Sequence, residues 1–419
     1  MQQQGARELV DGVLAVARTQ HREVTRQAVY GVVLLLGFAL VALSPALSVF
    51  SLGPAEVLVL DLGASTLMFV AVFLAAAAVA AGTAERLGDG TLLLVLTRPI
   101  GTGGTLLGTW LGASLALLQA ALLLGVALLL AVRHGPERAH WGVLIPTGLA
   151  LAGALGWGVR QSLAERAFQP AALNAATLLF PALWVVSLLL GPDGRPLAEP
   201  SAPDGTAVAA AWLAAMAALA YAGLGLCLAT RLPPEGAAVL TLVGFLLGSV
   251  VQAGLGPEAE QLGRLLGFGL LAVGGLWLLA QAFRAHAAWG AAALGLPLGL
   301  AALLWLGVSL PPQVERWALL LGAPLLWLPF ALSRWEEAGP PLMVWGAGLL
   351  VLGLGATVLE GGALTLLVPD LQLYWVADAA YSGELVPLDY CLGVSASALL
   401  YAMGALAVGT ASLLGRELG

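Results

Sequence analysis

The chain contains no lysine; its 17 basic residues are all arginine. A phosphate-binding P-loop needs the lysine of G-x-x-x-x-G-K-[ST] to reach the β- and γ-phosphates. That motif is excluded, and any ATP chemistry falls to a partner chain. Charge of either sign is scarce. Charged residues make up 10% of the sequence, against about a quarter in a typical soluble domain, which excludes a soluble globular protein. Cysteine is almost absent. Cys227 and Cys391 each fall inside an apolar run and read as small core residues, not as a disulfide or a metal site. The N-terminal residues are not a secretory signal, because Arg7 to Arg26 is charged throughout and no short apolar region with a cleavage site follows.

What the chain has instead is apolar sequence, 60% of its residues, in blocks of roughly twenty, the length of helix that crosses a bilayer core. Backbone groups in lipid must be satisfied within the segment, so such blocks are helices. The expected fold is an all-α polytopic integral membrane protein with about 12 transmembrane helices and an N-terminal interfacial helix. Residues 1–27 form that cytoplasmic amphipathic helix, with Leu9, Val13, Val16, Ala17 and Val24 near one face. Residues 28–419 form a single transmembrane domain. Its apolar runs lie near 28–50, 64–83, 104–132, 141–159, 171–190, 207–229, 236–254, 264–283, 289–308, 317–333, 341–359 and 391–414.

With the N-terminus inside, twelve of the 17 arginines fall on inner segments, in agreement with the positive-inside rule. An even number of spans returns the C-terminus to the cytoplasm. An outer loop at 360–390 carries Tyr374, Trp375, Tyr381 and Tyr390 among Asp370, Asp378, Glu384 and Asp389. Its aromatics predict a short amphipathic helix at headgroup level, and its acids read as a solvated loop, not a catalytic cluster.

The most punctuated stretch runs from Gly82 to Gly112, with a cytoplasmic elbow at 84–103. Glu85 and Arg86 mark the exit of one span, and Gly88-Asp89-Gly90 is a turn signal. Thr91 can cap a short apolar helix containing Leu92, Leu93 and Leu96, which Pro99 stops by restricting Arg98 to extended geometry. Gly101 to Gly104 reads as a flexible link. Gly104, Gly108 and Gly112 form a doubled G-x-x-x-G at which another helix can approach closely. An apolar helix of this length needs cover, from the membrane interface or from a groove on a partner protein.

The stretch resembles the ABC-2 type of ABC transporter permease, on Glu85, Gly90-Thr91-Leu92, Arg98-Pro99 and Gly108-Thr109-Trp110-Leu111-Gly112. The N-terminal AVARTQHREVTRQAVYGVVLLLGFAL and the C-terminal segment ending in Arg416-Glu417 are similar to that family's interfacial helix and last outer loop and span. Thr102 and Thr109 stand where the family often has basic residues. The resemblance implies a bacterial plasma-membrane export permease with both termini cytoplasmic. It implies an ABC ATP-binding subunit that carries ATP and Mg, a second permease subunit, identical or not, no cofactor or metal in this chain, and no nucleic acid. Glu85, Arg86, Leu92, Leu93, Leu96, Arg98 and Pro99 would receive the ATPase, and no residue here would be catalytic.

Two other readings compete. The Gly82–Gly88 run loosely resembles a loop of major-facilitator carriers, but its following basic pair is replaced by Asp89-Gly90. Such carriers need ionisable groups deep in the membrane, and only Glu360 is a candidate. The other is a membrane transmitter that couples an ATPase to an extracytoplasmic partner without moving a solute. Gln119, Asn174, Gln252 and Gln281 are explained by hydrogen bonds between helices. His134, Glu137 and His140 lack a third strong ligand at fixed spacing for a metal.

Overall fold

The structure, a computed structural model, describes residues 2–48, 55–90, 100–134, 141–189, 202–254, 369, 371–376 and 385–417. Every regular element among them is helical. α1 spans Gln2–Arg26, α2 Ala28–Ser48 and α3 Ala55–Leu74. α3 runs without a break into a π-helical segment, Ala75–Ala81, and on into α4, Gly82–Gly88. α5 spans Gly101–His134, α6 Trp141–Leu163, α7 Phe168–Leu189, α8 Ala202–Ala229 and α9 Pro234–Gly254. A single 3₁₀ turn, Leu371–Tyr374, precedes α10, Leu388–Glu417.

Among the described residues, six helical stretches are long and apolar enough to cross a membrane: Ala28–Ser48, Ala55–Gly88, Gly101–Arg133, Phe168–Val186, Asp204–Ala229 and Leu388–Leu413. The chain is a multi-pass membrane protein. The apolar part of α9 is shorter, Pro234–Leu246, and α6 is helical over the run expected at 141–159 but is not among the six. The spans expected between 264 and 359 lie outside the described residues. One expected start is corrected. The span expected from residue 64 begins at Ala55, because Glu56 and Asp61 sit within the helix instead of preceding it.

The side-chain distribution is that of a protein solvated by lipid. α2 turns Leu35, Leu36, Leu40, Leu43 and Leu47 outward, and buries Tyr30, Leu34, Gly37, Val41 and Ser44. With lipid outside, expelling leucine from the surface gains nothing, and small residues serve the interior by letting helices approach. The core sits among α3, the π segment, α5, α8 and α10.

Two close approaches set its geometry. A Cβ on Gly223 of α8 would lie 2.8 Å from the Ala402 Cα on α10, and one on Gly225 would lie 2.7 Å from Ala80 in the π segment. α8 and α10 run in the same direction, as Trp212 meets Ser395 near one end and Arg231 meets Ser412 at the other. α9 runs back along α8, with Tyr221 edge-on to Phe245 and Gly225 beside Thr241.

The segment before α10 corrects a further expectation. Leu371 and Tyr374 are buried, and the turn they form packs against α8 and α9 instead of lying at a surface. The Tyr221 hydroxyl donates to the Pro369 carbonyl at 3.2 Å, and the Tyr390 hydroxyl to the Leu373 carbonyl at 2.7 Å. Here the phenols serve as donors to irregular backbone, which must be satisfied by protein when it lies within the membrane. α10 begins at Leu388, inside the stretch expected to be loop; Asp370, Asp378, Tyr381 and Glu384 lie outside the described residues.

Candidate functional site: the elbow and the helix that braces it

The first flank of the elbow is α4. It ends as the Gly88-Asp89-Gly90 signal predicts: the Asp89 N–H donates to the Glu85 carbonyl at 2.9 Å, and Gly90 takes φ +73°, which glycine adopts at no steric cost. Glu85 is exposed; Arg86 is half-buried. The Arg86 guanidinium donates three ways: through Nε to the Gly82 carbonyl of its own helix, to the Glu23 carboxylate and to the Gln20 side-chain carbonyl. Both of the latter partners are on α1. Close by, Gly82 has Gln27 against it, with the amide nitrogen 2.7 Å from where a Cβ would stand.

The second flank is α5. Its helix starts at Gly101, with φ +71°, and Gly104 already lies within the helix. This corrects the flexible link expected over 101–104. Gly104, Gly108 and Gly112 do admit a close helix, and that helix is α1. A Cβ on Gly108 would lie 2.8 Å from the Val13 carbonyl oxygen, and one on Gly112 would lie 2.1 Å from the Ala17 carbonyl oxygen. Ile100 is buried as a wedge, its side chain 2.7 Å from the Cβ positions of both Gly12 and Gly104. On α1 the buried face is Val13, Ala17, Gln20 and Val24; Leu9, expected on that face, is exposed.

Thr109 is buried, with its hydroxyl bonded to the Thr105 carbonyl at 2.9 Å. A lysine at this position would need a buried partner. Thr91, Leu92, Leu93, Leu96, Arg98 and Pro99, the centre of the elbow, lie outside the described residues. The structure thus brings Arg86, Gly104, Gly108 and Gly112 together around one helix and leaves Glu85 pointing away.

Sequence reasoning missed Gln20, Glu23, Gln27 and Ile100. The signal was present, since Gln20, Glu23 and Gln27 recur at i, i+3 and i+7, a polar stripe along one side of an otherwise apolar contact face.

Further into the bundle, Gln119 of α5 donates to Asn174 Oδ1 at 3.3 Å and Thr177 Oγ1 at 2.8 Å on α7, as expected for polar groups within spans. The side chain of Gln252, and Gln281 and Glu360 altogether, lie outside the described residues. The turn between α6 and α7 is tied to the same end of the bundle as Arg86, because the Gln169 amide donates to the Thr25 and Gln27 carbonyls at 2.9 Å each.

At the opposite end, Arg133 in the last turn of α5 meets Asp204 in the first turn of α8 at 2.6 Å, with both side chains almost fully buried. Each charge also complements its own helix dipole. Glu137 and His140 lie outside the described residues, and among the described ones no three of His, Cys, Asp and Glu come together. Comparison of the chain with family models, with curated proteins and with solved structures returns no match.

Proposed function

We propose that this chain is the transmembrane permease subunit of an ABC-2 type transporter, coupling ATP hydrolysis by a separate ATP-binding subunit to export of a substrate. The observation that supports this reading best is the mechanical one. Both flanks of the 84–103 elbow are fastened to α1, by Arg86 on one side and by Gly108 and Gly112 on the other. A push delivered between Gly90 and Ile100 would therefore move α4, α5 and α1 as one body, and with them the spans Ala55–Gly88 and Gly101–Arg133.

In this reading the end of the bundle bearing Arg86, Arg160, Arg166 and Arg231 is cytoplasmic, in a bacterial plasma membrane, with both termini on that side. Leu92, Leu93, Leu96, Arg98 and Pro99 meet the ATPase, which supplies ATP and Mg. A second permease subunit completes the path, and no residue of this chain does bond chemistry.

Affinity purification of the tagged full chain from its native membranes tests the proposal. An ATP-binding subunit is expected to co-purify, and to be lost when Leu92–Leu96 is deleted. Transport that collapses with the proton gradient and ignores ATP would replace this reading with an ion-coupled carrier. An associated ATPase without any vesicle transport would replace it with a transmitter to an extracytoplasmic partner.

A further inference from the structure

A notch of about 440 Å³ opens between α1, α5 and α7, away from the Arg86 brace. Its mouth carries Arg18 and Arg22, one helical turn apart on α1 and both exposed. Neither has a carboxylate within ion-pair distance among the described residues, and the nearest acid in sequence, Glu23, is engaged by Arg86. The mouth is therefore a doubled, uncompensated positive charge.

The floor is polar and uncharged. Asn174 accepts from Gln119 and is itself exposed, and its own amide N–H donors have no hydrogen-bond partner among the described residues. Interhelical bonding thus uses only half of Asn174. The walls on either side of the floor are apolar, with Leu115 52% and Leu122 44% exposed.

The order of these chemistries along the bundle matters more than the composition. Gly112 of α5 touches Ala17 and Gln20 and so marks the level of the arginines. Gln119 lies seven residues further along α5, about 10 Å of helix rise. From the arginine level inward the notch passes from a cationic mouth to leucine walls, with the Gln119 and Asn174 amides set between Leu115 and Leu122. A bilayer leaflet presents the matching order, with a polar headgroup zone roughly 5–8 Å deep above the hydrocarbon core. Basic pockets between spanning helices recognise anionic headgroups on the same logic.

We propose that this notch binds an anionic phospholipid, its phosphate held between Arg18 and Arg22, its ester region by the Asn174 amide, and its acyl chains along Leu115 and Leu122. A free inorganic anion would satisfy the arginines and leave the apolar walls bare. A zwitterionic lipid would bring a cation to a mouth that has no carboxylate for it. The inference does not rest on the transporter reading and needs only that the helices span a bilayer.

Native mass spectrometry of the detergent-solubilised full chain tests it. The protein is titrated with phosphatidylglycerol, with phosphatidylcholine of the same acyl chains, and with inorganic phosphate. Phosphatidylglycerol is expected to bind in preference to phosphatidylcholine, and inorganic phosphate at equal concentration is expected not to displace it. The double variant R18Q/R22Q should lose the preference by about thirtyfold, at roughly fivefold per basic residue near an anionic surface. Asn174→Leu should weaken both lipids, and Arg160→Gln, outside the notch, should leave binding unchanged.

Equal binding of the two lipids, or a preference that survives R18Q/R22Q, overturns the proposal. Displacement by phosphate overturns it in favour of a free-anion site. If the double variant does not elute as the parent on gel filtration, the comparison of lipids on the parent and on Asn174→Leu decides.

Discussion

Arg86 and Glu23 form an ion pair across 63 residues of chain, joining the foot of α4 to α1. The side chains are 24% and 44% exposed, so water screens the pair and its contribution to stability is modest. A double-mutant cycle of Arg86→Gln and Glu23→Gln, read as thermal unfolding in detergent, should give a coupling of about 0.5–1 kcal/mol. A coupling of zero would mean that the guanidinium is held without any contribution from Glu23, by groups that include Gln20 and the Gly82 carbonyl.

The glycine contacts should be far less forgiving than the ion pair. Gly112→Ala places a methyl group 2.1 Å from the Ala17 carbonyl oxygen, which belongs to the α1 backbone and cannot rotate away. A cost of about 1–3 kcal/mol is expected from overpacking, with α1 lifted off α5. Because the chain has no lysine, trypsin reads only its arginines, and cleavage at Arg18 and Arg22 should accelerate in this variant. Gly88→Ala, with nothing within 4 Å, serves as the control and should leave the digestion unchanged.

At the far end of the bundle, Arg133 and Asp204 form a pair of a different kind, with side chains only 2% and 6% exposed. Asp204→Leu or Arg133→Met alone strands a buried charge and should cost about 3–5 kcal/mol. The double replacement removes both charges and should be much milder. Unfolding of the three variants in detergent checks this; equal destabilisation by the single and double changes would refute it.

His21 makes the seat of α1 sensitive to pH. Burial holds its pKa below the ordinary value of 6.5, with Arg22 acting in the same direction, while the Gln119 side chain opposes them. The groups facing it are Arg18 and Arg22 on its own helix and Gln119, Asn174 and Thr177 across the notch. The folded state therefore prefers the neutral ring. Its stability is complete above about pH 6.5 and falls as the pH drops through that value toward the depressed one. Protection factors of the α1 amides, corrected for the intrinsic pH dependence of exchange, should fall as the pH drops below about 6.5, and His21→Gln should flatten that fall.

These cases show which parts of the molecule were legible in the sequence. Local chemistry was. The Gly88-Asp89-Gly90 turn, the close approach at Gly108 and Gly112, and the use of Gln119 and Asn174 in bonds between helices follow from residue type and spacing. Identity of the partner was not, because a doubled G-x-x-x-G states that a helix comes near without saying that α1 is the one. Hydropathy also misplaced the start of the span at Ala55, since Glu56 and Asp61 lower it locally though the helix continues through them. Tyr374 was misread for a related reason: a phenol at headgroup level and a phenol inside the bundle are the same residue in sequence, and only the backbone beside it distinguishes them.

The shared direction of α8 and α10 has a topological consequence. α9 carries the chain back toward the end where α8 began, and Leu385, just before α10, lies against Gly205 at that same end. Gly254 and Leu385 therefore stand at one end of the bundle, and α10 enters it from the same end as α8. The far ends of α8 and α10 share a side as well, and reporter fusions after residue 229 and after residue 417 should give the same sidedness.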